Sequence, residues 1–392
     1  MIGDTDDYND PDQINICLED DEDNKHKQFF GKRLGALLAD EHFLLLYVPD
    51  NGAKMKIIRP ASDSYHRQRM IKRINEAKTS PPSFYYALSH LWGVTEENRY
   101  IWNEISQYVD DEKGQPVEPV SMRPEKRDTL LTMLKDHPDS YWWIDVLCAR
   151  TDTPLDIMGD IYTCCLECVA MIDCEPDLIP QINTAISTYE QASPVDDEKL
   201  PDLVGLYLAM IQSQWWNRVW TWQEVVLPFG EVRFMSETGT HLQGDTITFK
   251  YLFDSFFGSP TYTKENEEDR TMILHWLFNI HTTRRYFENR ITREEIFPPG
   301  SVLDTLGEST RQCMDPVDYV YGVLGIFEIK MPRMKDPNAV WQLFLSKMQD
   351  HMNEPWCQEI LVIQKISDRA KQVDLLNVKD MRDVYKDFIK RI

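Results

Sequence analysis

The 392-residue chain carries 65 acidic against 42 basic residues, a formal net charge of -23. That balance repels phosphate backbones and anionic lipid surfaces, so nucleic acid and membrane are excluded as expected partners. A 42% hydrophobic and 11% aromatic share excludes a disordered or fibrous chain. A globular protein of roughly two to three domains, or one domain with large insertions, is expected.

Residues 1–28 hold ten carboxylates between Asp4 and Asp23 against only Lys25 and Lys27, which reads as an acidic mobile tail. The start lacks the basic and apolar regions of a secretory signal. The six-residue apolar run Phe43 to Val48 falls far short of the about 20 residues of a spanning helix, and a cytoplasmic protein is expected. Residues 29–82 read as an extension of hairpin and helix: Phe43 to Val48 and Met55 to Ile58 flank the turn Pro49-Asp50-Asn51-Gly52, and a basic helix follows up to Ser80-Pro81-Pro82.

From 83 to 327 strand-like and helix-like segments alternate, the pattern of an α/β fold with a mostly parallel sheet and large helical elaborations. Strands are expected at Phe84 to Ser89, Tyr141 to Val146, Cys168 to Ile172 and Glu231 to Met235. A helix is expected over Glu125 to His137, and another starting at Thr153-Pro154, where a capping residue precedes a proline. Residues 176–202, rich in proline and acid, read as an insertion. After Gly258 the spacing predicts helices over Thr271 to Asn289, Ser301 to Thr310, Pro316 to Phe327, Ala339 to Met352 and Leu375 to Ile392, the last two in a helical C-terminal region 328–392.

The chain has no P-loop, no G-x-G-x-x-G, no H-E-x-x-H and no G-x-S-x-G, so the common nucleotide, zinc-protease and serine-hydrolase signatures are absent. Cys148, Cys164, Cys165, Cys168 and Cys174 lack paired zinc-knuckle spacing and read as core thiols, with no metal.

Four segments stand in order along the chain: Tyr86-Ala87-Leu88-Ser89-His90-Leu91-Trp92-Gly93, Trp143-Ile144-Asp145-Val146-Leu147-Cys148, Arg218-Val219-Trp220-Thr221-Trp222-Gln223-Glu224, and Asp315-Pro316-Val317-Asp318-Tyr319-Val320-Tyr321-Gly322-Val323-Leu324-Gly325. Together they resemble the fungal heterokaryon-incompatibility (HET) domain over roughly residues 84 to 326. The resemblance implies a part in fungal self/non-self recognition and regulated cell death.

HET domains in turn look like Toll/interleukin-receptor (TIR) domains, which implies a TIR-like, flavodoxin-like core. Trp220-x-x-x-Glu224 resembles the TIR W-x-x-x-E helix, whose Glu is needed to cleave NAD at the nicotinamide-ribose bond. The resemblance therefore implies Glu224 as the catalytic carboxylate, with no resident cofactor and NAD as substrate. Ser89, Trp92, Gly93, Asp145, Arg218 and Trp220 are the expected nucleotide-binding residues. Ligands of open α/β sheets sit beyond the carboxyl ends of strands, where Ser89 to Gly93 and Asp145 are expected to lie. Each residue also has a plainer role open to it: Glu224 as a helix carboxylate paired with Arg218, the tryptophans as core, Asp145 as a turn former. The alternative function is a non-enzymatic module that assembles with itself or a partner protein.

Overall fold

The computed structural model describes residues 13–19, 24–93, 99–191, 202–258, 267–292, 299–354 and 364–391. Much of the acidic run before Lys25, and Pro194 with Asp196-Asp197-Glu198 of the expected insertion, lie outside the described residues.

An eight-stranded sheet forms the centre. In chain order its strands are β1 (Leu45–Val48), β2 (Met55–Ile58), β3 (Tyr85–His90), β4 (Val109–Asp110), β5 (Ser140–Ile144), β6 (Glu167–Ile172), β7 (Glu231–Ser236) and β8 (Thr246–Thr248). Across the sheet they run β8-β7-β6-β3-β5-β1-β2-β4. The four inner strands β5, β3, β6 and β7 are mutually parallel, with Leu88 opposite Ile144 on one side and Val169 on the other. Antiparallel pairs flank these four, β8 on β7 and β1 on β5, and the far edge strand β4 runs parallel to β2.

The parallel strands need crossover helices on both faces, so they read as continuous apolar runs. Every residue of β5 is buried, Tyr141, Trp142 and Trp143 among them. Each such side chain contributes about 1.5–3 kcal/mol on removal from water. Successive residues of β3 point to opposite faces. The Tyr85 hydroxyl donates to the Ile161 carbonyl at 2.6 Å, on the helix Ile157–Thr163, whereas Tyr86 stacks on Trp142 beside His137, just after the helix Arg127–Lys135. The connections β3 to β5 and β5 to β6 therefore cross opposite faces. In the order β5-β3-β6-β7 the chain reverses direction at β3, the flavodoxin-type arrangement with its switch point between first and third strands.

Several elements differ from the expectation. The expected hairpin forms, β1 antiparallel to β2, but joins the central sheet, with Leu46 opposite Trp142. The helix Lys25–Ala39 starts inside the segment expected to be tail, and Ile16 is buried beneath its Gly31. Part of the expected insertion is the helix Leu178–Gln191, packed beside β7 and β8. The helix expected from Thr153 begins at Ile157, because the Thr153 hydroxyl accepts Arg150 N-H at 2.8 Å and closes a turn first. Pro316 to Phe327 divides into turns at Asp318–Tyr321 and Leu324–Phe327. The long helix expected over Leu375 to Ile392 does not form. Asp374 and Asp380 each accept a nearby backbone N-H, giving two short helical turns, and Ile389–Arg391 pairs as a strand with Gln364–Ile366.

Candidate functional site

The switch point falls where β3 ends in Ser89 and His90, flanked by the carboxyl ends of β5 and β6. Glu224 reaches this point from the other direction. After a tight turn Gln214–Asn217 the chain extends through Arg218 and enters the helix Thr221–Val226 with Trp220 as its N-cap residue. Glu224, one turn on, is directed at the sheet. Its carboxylate accepts the Ser89 hydroxyl, and that hydroxyl accepts the Trp215 indole N-H at 2.8 Å. Glu224 is 5% exposed, and burial pushes its pKa up to about 7 against the opposing pull of Arg218 and Ser89. The carboxyl thus exchanges its proton near neutrality, unlike an exposed glutamate.

On the other face of β3 lies His90. Its Nε2 stands 3.0 Å from an Asp145 oxygen, and the Trp92 indole N-H donates to the other oxygen. Asp145 also accepts Val146 N-H at 2.7 Å. Burial acts to raise the Asp145 pKa, but His90, Trp92 and Arg218 outweigh it and hold the group below its ordinary value. Asp145 is thereby an anion whose oxygens are engaged within the protein, and it sets the angle of Trp92, whose ring is 42% exposed at the rim. Gly93 is close-packed: a Cβ there would lie 2.5 Å from the Tyr100 carbonyl oxygen and 2.6 Å from Met122 N. Its role in the structure is this backbone approach, which seats the strand pair Ile101–Trp102 and Val120–Ser121 beside the rim.

Arg218 lies among three carboxylates. One guanidinium nitrogen donates to the His90 carbonyl at 2.9 Å, and its charge acts on Glu224, Asp145 and Asp318. Trp220, half-buried, is hydrogen-bonded to the Asp318 carboxyl, which burial raises to about 6. The sequence assigns Asp318 only to a helix cap; its place beside Trp220 arises from a contact about 100 residues distant in the chain, which no local pattern signals.

The same segment fixes the Glu224 helix. Val219 N donates to the Gln312 carbonyl at 3.0 Å and Gln312 N to the Asn217 carbonyl at 2.7 Å. The Gln223 side chain spans to Gly325 N at 2.9 Å and the Tyr321 carbonyl at 3.1 Å. Arg311, buried over the Trp222 ring at 4.8 Å, donates to the Arg218 carbonyl at 3.0 Å.

Of the residues expected at the site, Ser89, Trp92, Asp145, Arg218, Trp220 and Glu224 converge on the carboxyl edge of the sheet, with Gly93 behind them. Two clefts lie apart from it: one of about 630 Å³ between the helices Leu178–Gln191 and Leu203–Ile211, one of about 310 Å³ beside β2. Among the described residues no group of three or more His, Cys, Asp or Glu is placed to hold a metal. Burial pushes the Cys148 thiol up to about 12 and Cys174 to about 11, which keeps both protonated at neutral pH. No described helix is long and apolar enough to cross a membrane.

No curated protein and no solved structure gives a significant match to the chain. Residues 85–224 match the family model described as heterokaryon incompatibility protein (HET). The match starts at the first residue of β3 and ends at Glu224, so it spans the strands and the carboxylate of the site. Over that stretch, about a third of its length, the chain is similar to the heterokaryon-incompatibility family.

Proposed function

We propose that the protein acts in heterokaryon incompatibility and the cell death that accompanies it, and that its HET domain cleaves NAD at the nicotinamide-ribose bond. The observation that supports this most is the Ser89–Glu224 pair at the switch point of the sheet, a carboxyl that loses its proton near neutral pH. A ribose hydroxyl has the same donor chemistry as Ser89 and takes its place on the carboxylate. Nicotinamide leaves NAD as a neutral base, taking the electron pair of the broken C1′–N bond. Water forms the new bond to C1′ and gives up one proton. The step needs a negative charge against the oxocarbenium-like centre more than it needs a general acid, and Glu224 supplies it. Arg218 faces the pyrophosphate, and the rims of Trp92 and Trp220 offer stacking surfaces. The likeness of Trp220-x-x-x-Glu224 to the TIR helix supports the same assignment.

Incubation of the full chain with NAD at several protein concentrations tests the reading. Nicotinamide release is expected, and Glu224→Gln is expected to lower it by about 100-fold or more with folding intact. Absence of release at every concentration and assembly state retires the reading.

One observation favours a second, non-enzymatic reading: Glu224 is 5% exposed and already hydrogen-bonded. On that reading the domain signals by assembly with itself or a partner protein. Cell death then survives Glu224→Gln and fails on substitution of exposed residues such as Trp92.

A further inference from the structure

Lys126 ends the turn Pro124–Lys126 between β3 and β5 and is fully buried. Its ammonium lies 3.0 Å from His90 Nδ1, donates to the Leu91 carbonyl, and is 3.8 Å from the Glu237 carboxylate, itself 2% exposed. Arg123 pairs with the same glutamate. Taking an ammonium out of water is costly, and an apolar side chain of similar volume fills such a space without that cost. What the ammonium adds is directed donors and no acceptor.

Those donors decide the state of His90. Nδ1 lies 2.9 Å from the Leu91 carbonyl oxygen as well as 3.0 Å from the ammonium, so a proton there would find that acceptor but face the Lys126 cation, and would leave a bare Nε2 against the Asp145 carboxylate. Only the neutral ring with the proton on Nε2 satisfies both charged neighbours: Nδ1 accepts from Lys126, Nε2 donates to Asp145, and the Leu91 carbonyl takes a second Lys126 donor. Asp145 then keeps its other oxygen for the Trp92 indole. A chain of contacts thus runs along the carboxyl edge from Glu237, after β7, through Lys126 and His90 to Asp145 and the exposed ring of Trp92.

We infer that Lys126 is a positioning residue that fixes Trp92 at the carboxyl edge of the sheet by holding His90 in its Nε2-protonated form. The inference concerns the rim itself and stands whether or not the ligand is NAD. Its first test uses the unaltered protein. Nitrogen-15 correlation spectra at pH 7, with His90 assigned through His90→Asn, are expected to show a bare Nδ1 and a protonated Nε2. A cationic ring or an Nδ1-protonated one overturns the inference without any Lys126 variant being made.

The second test follows Trp92 by fluorine NMR of 5-fluorotryptophan-labelled protein, assigned through Trp92→Phe. Lys126→Met, and Lys126→Met combined with Glu237→Gln so that no buried carboxylate loses its partner, are expected to shift or broaden the Trp92 resonance. The Trp220 resonance stays in place. An unchanged Trp92 resonance in the folded double variant sinks the proposal.

Discussion

Glu224→Gln is expected to stabilise the protein at pH 8 while removing its proposed activity. The folded-state pKa of Glu224 is raised to about 7 from the ordinary 4.5, chiefly by burial. Between those values the folded chain holds a proton that the unfolded chain has released, so stability falls as pH rises through the window and is level above it. A rise of that size corresponds to about 3 kcal/mol of lost stability. Glutamine keeps the shape and still accepts from Ser89 but cannot ionise. The variant therefore gains on the wild type between pH 5 and pH 8, by about 3 kcal/mol at most, read as a shift in denaturant midpoint at the two pH values. Stability gained together with nicotinamide release lost marks a group held in an unfavourable state for function. Equal midpoints for variant and wild type at both pH values contradict the buried, near-neutral carboxyl.

The second large effect is structural. Gly159, in the helix Ile157–Thr163, and Gly325, in the turn Leu324–Phe327, meet backbone to backbone. A Cβ on Gly159 would lie 2.7 Å from Gly325 Cα, and one on Gly325 would lie 2.2 Å from the Gln223 amide oxygen and 2.8 Å from Gly159 Cα. Neither backbone has a flexible end that can yield. Gly159→Ala and Gly325→Ala are each expected to cost about 3 kcal/mol, the upper part of the range for overpacking, because the two elements must separate. Gly325→Ala also displaces Gln223, one residue before Glu224, and should lower nicotinamide release beyond its effect on the folded fraction. Gly244→Ala is the control, since nothing lies within 4 Å of a Cβ there. A Gly325→Ala protein as stable as that control would show that the contact is not tight.

The inner strands β3, β5 and β6 were legible as short, largely apolar runs, and β7 as an alternation of buried Val232 and Phe234 with Glu231 and Arg233. Each observed boundary falls within two residues of the expected one. Less legible were elements whose form depends on side chains folding back locally. Thr153, Asp374 and Asp380 bind backbone N-H groups in turns where apolar spacing suggested continued helix.

At the carboxyl edge, Ser89, Trp92 and Asp145 were legible as residues at strand ends, a local feature, whereas Trp220 and Glu224 were singled out by the resemblance of their segment to the W-x-x-x-E helix. What those residues do to one another was not local. That Ser89 and His90, adjacent in sequence, serve opposite faces of the sheet follows from the alternation of a strand. That one meets Glu224 and the other Lys126 depends on which crossover covers which face. Asp145, expected to meet a ligand, is engaged by His90 and Trp92, and Asp318, expected only to cap a helix, stands beside Trp220.

The sequence by itself determined the α/β class, the parallel core strands and the identity of the residues at their carboxyl ends, because hydrophobic period and breaker residues act over a few positions. Only the tertiary structure decided the strand order, the burial that brings Glu224 near neutrality and the contacts from Gln312 to Gly325 that hold its helix. Those depend on desolvation and packing between segments far apart in the chain, and no short stretch of sequence encodes either.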